Sequence, residues 1–168
     1  MRDARIGNAV FRNGSIWFAH HVYLPASTPT RSGVDWWQLN PLSMTVEQFS
    51  RIEDPSGEVF YCYPGIDVNA YGDALINLCV SSANMFASAG YAFHSHLDGL
   101  NYTQDPYIFK SGAAYYTRYT GGRNRWGDYT FVAHDPVDQS FWSFGEWAKG
   151  STTWSTQIAH LTAVPDTN

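Results

Sequence analysis

Asn8-Ala9-Val10-Phe11, then Arg12-Asn13-Gly14, then Ile16-Trp17-Phe18-Ala19: two short apolar runs around an Asn-Gly turn are the unit that decides the fold. Asn and Gly tolerate the left-handed backbone that a tight turn demands, so the stretch reads as a β-hairpin. The same grammar returns twice. Gly65-Ile66-Asp67-Val68 leads through Asn69-Ala70-Tyr71-Gly72 to Ala74-Leu75-Ile76-Asn77-Leu78. Tyr129-Thr130-Phe131-Val132 leads through Asp135-Pro136-Val137-Asp138 to Phe141-Trp142-Ser143-Phe144. A looser third strand with an aromatic follows each hairpin: Val34-Asp35-Trp36-Trp37-Gln38-Leu39, Gly90-Tyr91-Ala92-Phe93 and Thr153-Trp154-Ser155-Thr156-Gln157-Ile158. The first two units add a fourth strand, at 46–52 and 107–110. Helical periodicity is almost absent, with 45–51 and 83–86 the only short candidates.

From Trp17 to Leu75 is 58 residues and from Leu75 to Trp142 is 67. Four-stranded units at that spacing predict β-propeller blades with insertions, and a β-sandwich is the alternative. The expectation is an all-β chain of about three four-stranded blades, at 5–55, 59–117 and 123–165, forming one partial propeller domain. Trp17, Leu75 and Trp142 should hold equivalent second-strand positions in three successive sheets. Propellers have four to eight blades, and three leave strand edges and outer faces open. The expected partners are therefore the remaining blades of a larger protein or a second copy of the chain, with the fragment favoured.

Charged residues make up only 15% of the 168, against about one-quarter in an average globular chain. The net charge is −5 and Lys110 and Lys149 are the only lysines, so the electrostatic footprint of a nucleic-acid binder is missing. No apolar run is long enough for a membrane span, and residues 1–5 lead into a strand without the apolar stretch of a signal peptide. An uncharged surface rich in Tyr, Ser, Thr and Asn suits extracellular proteins and carbohydrate contact. Cys62 and Cys79 are too few for a disulfide scaffold. They would pair only if their strands are neighbours, and two buried thiols is the blander reading.

Gly121-Gly122-Arg123-Asn124-Arg125-Trp126-Gly127-Asp128 places two arginines, an indole and a carboxylate before the third hairpin. Paired guanidinium groups suit a carboxylate or phosphate, and an indole suits stacking on a sugar. The structural reading of the same residues is a clasp in which Arg125 packs on Trp126 and pairs with Asp128. His94-Ser95-His96-Leu97-Asp98 puts two imidazoles and a carboxylate at alternate positions, hence on one strand face. His94, His96 and Asp98 are weak metal candidates, because no further ligand is defined. His20 and His21 point to opposite faces. Asp67, Asp73, Asp135 and Asp138 lie in or beside turns, where carboxylates accept backbone N–H bonds. No cofactor or metal is expected.

Tyr61-Cys62-Tyr63-Pro64-Gly65-Ile66, Asp35-Trp36-Trp37-Gln38-Leu39-Asn40-Pro41, and Arg123-Asn124-Arg125-Trp126-Gly127-Asp128-Tyr129 with Asp135-Pro136, Phe141-Trp142 and Glu146-Trp147 resemble the C-terminal blades of bacterial secreted propellers of the sialidase-like superfamily, the exo-sialidase-like or BNR-repeat proteins. The resemblance spans most of the chain. It implies an extracellular or cell-envelope propeller, usually of unassigned function. The Asp-box of true sialidases is not matched; Asp138-Gln139-Ser140-Phe141-Trp142 is a loose echo of it. Arg5, Arg123, Arg125, Tyr129, Glu146 and Asp128 supply the residue types of a sialidase.

These readings converge on a non-catalytic module for ligand, carbohydrate or cell-surface interaction. A sialidase-type glycoside hydrolase and a purely structural propeller half are the alternatives. The candidate ligand-binding residues are Arg5, Tyr63, Arg123, Arg125, Trp126, Asp128 and Glu146, with no catalytic residue assigned.

Overall fold

The computed structural model of the chain describes residues 4–127 and 130–163. It is all-β, with no helix among those residues and four separate antiparallel sheets. The first sheet is an up-and-down meander of β1 (Ala9–Arg12), β2 (Ser15–Leu24), β3 (Arg31–Asn40) and β4 (Thr45–Ile52). The second repeats it with β5 (Val59–Val68), β6 (Ala74–Ser82), β7 (Met85–His94) and β8 (Tyr107–Lys110). A two-stranded ribbon of β9 (Tyr119–Thr120) and β10 (Arg123–Asn124) precedes the third meander of β11 (Phe131–His134), β12 (Phe141–Gly150) and β13 (Thr153–Leu161). Both short helical candidates resolve as sheet elements: 45–51 lies in β4, and 83–86 spans the tight turn and start of β7. The third meander has three strands rather than four.

The second sheet lies between the other two, and the sequence of β6 shows why. Residues 74 to 80 (Ala-Leu-Ile-Asn-Leu-Cys-Val) are all buried, the mark of a strand covered on both faces. Alternate side chains divide between neighbours. Ala74, Ile76, Leu78 and Val80 join Trp17, Val34 and Trp36 of the first sheet, with the two indoles stacked at 5.8 Å. Leu75 faces the other way and packs with Val132 and Phe141 of the third sheet, flanked by Tyr91, Phe93 and Leu161. Trp17, Leu75 and Trp142 do sit on β2, β6 and β12, the second strands of three sheets. In the third sheet the inter-sheet packing falls to Phe141, the buried neighbour of Trp142, while Trp142 points to the open face.

The three leading hairpins lie side by side and are tied through their turns. Asn13 donates to the Ala70 carbonyl at 3.0 Å, Ala70 N–H donates to Gln139 Oε1 at 2.8 Å, and Asn69 Nδ2 donates to the Gln139 carbonyl at 3.1 Å. Below the turns the first strands are laced together as well. The Asn8 amide exchanges two hydrogen bonds with the backbone of Ile66, at 2.7 and 3.2 Å. Repeated turn chemistry thus fixes the sheets in register with one another.

Candidate functional site

Three of the sequence-derived candidates converge beside a distortion in β5. The pairing of β5 with β6 slips between Cys62 and Gly65, and Tyr63 there has φ of 53°, a left-handed conformation that is costly for an aromatic residue. His21 meets the Tyr63 ring edge-on at 5.5 Å. Gly127, itself at φ 92°, lies against the face of Tyr63 so closely that a Cβ would overlap the ring. Gly127 N–H donates to Glu146 Oε2 at 3.1 Å, and Thr130 Oγ1 donates to the Tyr63 carbonyl at 2.9 Å. Trp126 reaches inward, its indole N–H directed at Cys79 Sγ at 3.1 Å. Tyr63, Trp126 and Glu146 are therefore one cluster, and Glu146 is buried.

The arginines are arranged otherwise. Arg123 is exposed in β10, beyond a turn in which Gly121 and Gly122 both have positive φ. Arg125 is exposed and anchored through its backbone N–H to the Arg118 carbonyl at 3.1 Å, and Arg5 is exposed near the start of the chain. Tyr116 meets the Trp126 ring edge-on at 4.9 Å. Asp128 and Tyr129 lie outside the described residues.

The expectation that His94, His96 and Asp98 share one strand face is corrected. β7 ends at His94, and 95–98 is a turn closed by Ser95 N–H donating to Asp98 Oδ2 at 2.8 Å. His94 is buried against Trp36 at 5.0 Å, with Nδ1 donating to the Tyr102 carbonyl at 2.7 Å, and burial pushes its pKa down. His96 turns the other way to meet Asp73 Oδ1 at 2.7 Å. Among the described residues no three His, Cys, Asp or Glu side chains gather as a metal-ligand group.

That turn forms one wall of a groove of about 970 Å³ between the second and third sheets, at the end where the leading hairpin turns lie. Its apolar lining comes from Leu75, Tyr91, Phe93, Phe141 and Leu161; its polar lining includes Asp73, His96, Asp98, Gln104 and Ser140. These polar groups are held in place. Burial alone would raise the Asp73 pKa, but donors from His96 backbone and imidazole and from the Asn69 amide outweigh it and leave the carboxyl below its ordinary value. Ser140 Oγ lies 2.5 Å from Asp138 Oδ1 and 2.7 Å from His160 Nε2. Tyr71 stands at the rim, tilted over His96 at 6.0 Å.

A second polar centre joins all three meanders; the sequence offers Arg12 and Asp67 only as turn residues, and His134 not at all. Arg12 of β1 donates through Nε to the Val68 carbonyl at 3.0 Å and through Nη2 to His134 Nε2 at 2.9 Å. His134 of β11 in turn donates Nδ1–H to Asp67 Oδ2 of β5 at 2.9 Å. Both imidazole nitrogens are engaged, so the geometry is that of a clasp. Arg12 and His134 are each the last residue of a leading strand, just before Asn13 and Asp135, and that shared position was the available signal.

The chain matches no family model, no curated protein and no solved structure. The sialidase-like resemblance therefore rests on the quoted motifs alone. No helix among the described residues is long and apolar enough to cross a membrane.

Proposed function

We propose that the chain is a set of β-propeller blades from an extracellular or envelope protein, and that it binds a carbohydrate in the groove between its second and third sheets. One observation carries this reading: an aromatic and aliphatic floor is combined with a few polar groups already fixed by their neighbours. Ligand sites are mostly apolar concavities in which a small number of placed polar groups set orientation. A pyranose presents C–H faces to rings such as Tyr91 and Phe93, while its hydroxyls find Asp98 and Gln104. Binding without turnover fits the state of the ionic groups. Glu146 is buried and holds Gly127, and Arg12, Arg31 and Arg51 are each committed to a partner side chain. The blade reading is supported by three meanders stacked face to face with their leading hairpins in register.

The test is a glycan-array screen of the full chain, followed by titration of the best ligand against Tyr71→Ala and Gln104→Ala. Both side chains lie at the groove, and Tyr71 is 63% exposed, so its loss should leave the fold intact. The expected result is at least about a tenfold weaker affinity, worth about 1.4 kcal/mol, with an unchanged unfolding midpoint. Failure of every glycan to bind, or binding indifferent to both substitutions, would sink the proposal. Release of a free sugar that disappears in Glu146→Ala would replace it with the hydrolase reading.

A further inference from the structure

Cys62 and Cys79 are free and fully enclosed, yet they are direct register partners across β5 and β6. Residues paired in this way in an antiparallel ladder have Cα atoms about 4.5–5.5 Å apart and side chains on the same face. That separation lies within the 4.4–6.8 Å span over which a disulfide closes without moving the backbone. We propose that Cys62 and Cys79 form a cross-strand disulfide, an oxidative modification that staples the central hairpin directly beneath the Tyr63–Trp126 cluster. The Cys62 thiol already reaches its partner residue: Sγ lies 3.9 Å from the Cys79 carbonyl, and the Cys79 thiol is the foremost influence raising the Cys62 pKa, ahead of burial.

The location gives the bond a consequence. Cys62 is the last regularly paired residue before the slip that sets Tyr63 into its left-handed conformation. Cys79 Sγ is the acceptor for the Trp126 indole N–H, and a disulfide sulfur keeps that capacity. Closure therefore locks the distorted part of β5 to β6 and, through Trp126, to the segment leading into the third sheet. The chemistry is ordinary exchange with a small disulfide such as oxidised glutathione. One thiolate attacks the small disulfide, releasing one equivalent of its thiol and leaving a mixed disulfide. The second thiolate then displaces the other half. Two protein thiols lose two electrons and two protons, and one small disulfide becomes two thiols. With both sulfurs enclosed in the folded chain, exchange proceeds while the chain folds, before Trp126 covers Cys79.

The experiment uses the full chain, unfolded and reduced, then refolded in a glutathione buffer poised like the secretory pathway, quenched in acid and alkylated in denaturant. The expected product is lighter than the reduced chain by two hydrogen atoms, takes up no alkyl group, and yields a non-reduced peptide pair joining Cys62 to Cys79. Adding reductant should lower the unfolding midpoint by about 10 °C, a shift absent in Cys62→Ala. Two alkyl groups on the refolded chain, or glutathione on a single cysteine, would overturn the proposal. Because refolding itself is read by circular dichroism in the same sample, a chain that fails to fold is replaced by native protein purified under oxidising conditions, whose alkylation count decides the matter equally.

Discussion

Asp54, in the link between the first two meanders, is held by four donors. It accepts hydrogen bonds from the Ser56 hydroxyl and from the backbone N–H groups of Ser56, Glu58 and Val59. These bonds, the Ser56 hydroxyl foremost, bring its pKa down to about 2. A carboxyl depressed in the folded state contributes stability that is whole above its unfolded value near 4 and is lost as pH falls through the folded value. The stability gap between the parent chain and Asp54→Ala should therefore be constant from pH 7 to about 4 and shrink toward pH 2. Urea midpoints across that range measure it, and a gap that ignores pH would show that the carboxylate charge is irrelevant to the turn. The Arg12–His134–Asp67 clasp belongs to the same scale. Its partners come from strands as much as 122 residues apart, and it ties three sheets through three side chains.

At the scale of elements, strands and turns were readable because their chemistry is local. Asn13-Gly14, Asn69 to Gly72 and Asp135 to Asp138 each announce a hairpin, and β6 carries an apolar run from 74 to 80 interrupted by Asn77 alone. What could not be read was decided by contacts distant in sequence. His94 and His96 alternate like strand residues, but Asp73 draws both the backbone N–H and the imidazole of His96 into a turn, which no local pattern encodes. Trp126 stood out by its neighbours in the chain, but its contact with Cys79 did not, and Arg12 passed for a turn residue. Gly145 shows how closely such long-range fits are drawn. It lies in β12 where the third sheet crosses β7, and a Cβ there would overlap Ala89 and press on Phe109 Cζ at 2.8 Å. Gly145→Ala should destabilise the chain by about 1–3 kcal/mol by forcing the second and third sheets apart. Gly99→Ala, with nothing within 4 Å of the new methyl, should be close to neutral. Equal midpoints for the two variants in chemical unfolding would show that the sheets are packed more loosely than the geometry requires.

At the scale of the whole molecule, the stack has two finished interfaces and two unfinished faces. On the outside of the first sheet Phe18, Trp37 and Phe49 form a cross-strand aromatic row, with Phe11 67% and Val46 53% exposed beside it. On the outside of the third sheet Phe131 (55% exposed) and Ile158 (51%) flank Phe144, with Trp142 and Trp154 on the same face. Faces of this composition are covered elsewhere in the chain by the next meander, and left open they favour association. If two copies close into a ring, the first sheet of each must meet the third sheet of the other, a head-to-tail contact made twice. The expected outcome in light scattering is a discrete dimer. Because each contact uses both faces, Phe11→Lys alone and Ile158→Lys alone should each weaken it. Mixing the two variants regenerates one contact free of added charge and should restore part of the association. A pairing of like faces gives a different pattern: one substitution dissociates the dimer, the other does nothing, and mixing rescues nothing. A parent chain that stays monomeric at high concentration would refute the two-copy ring.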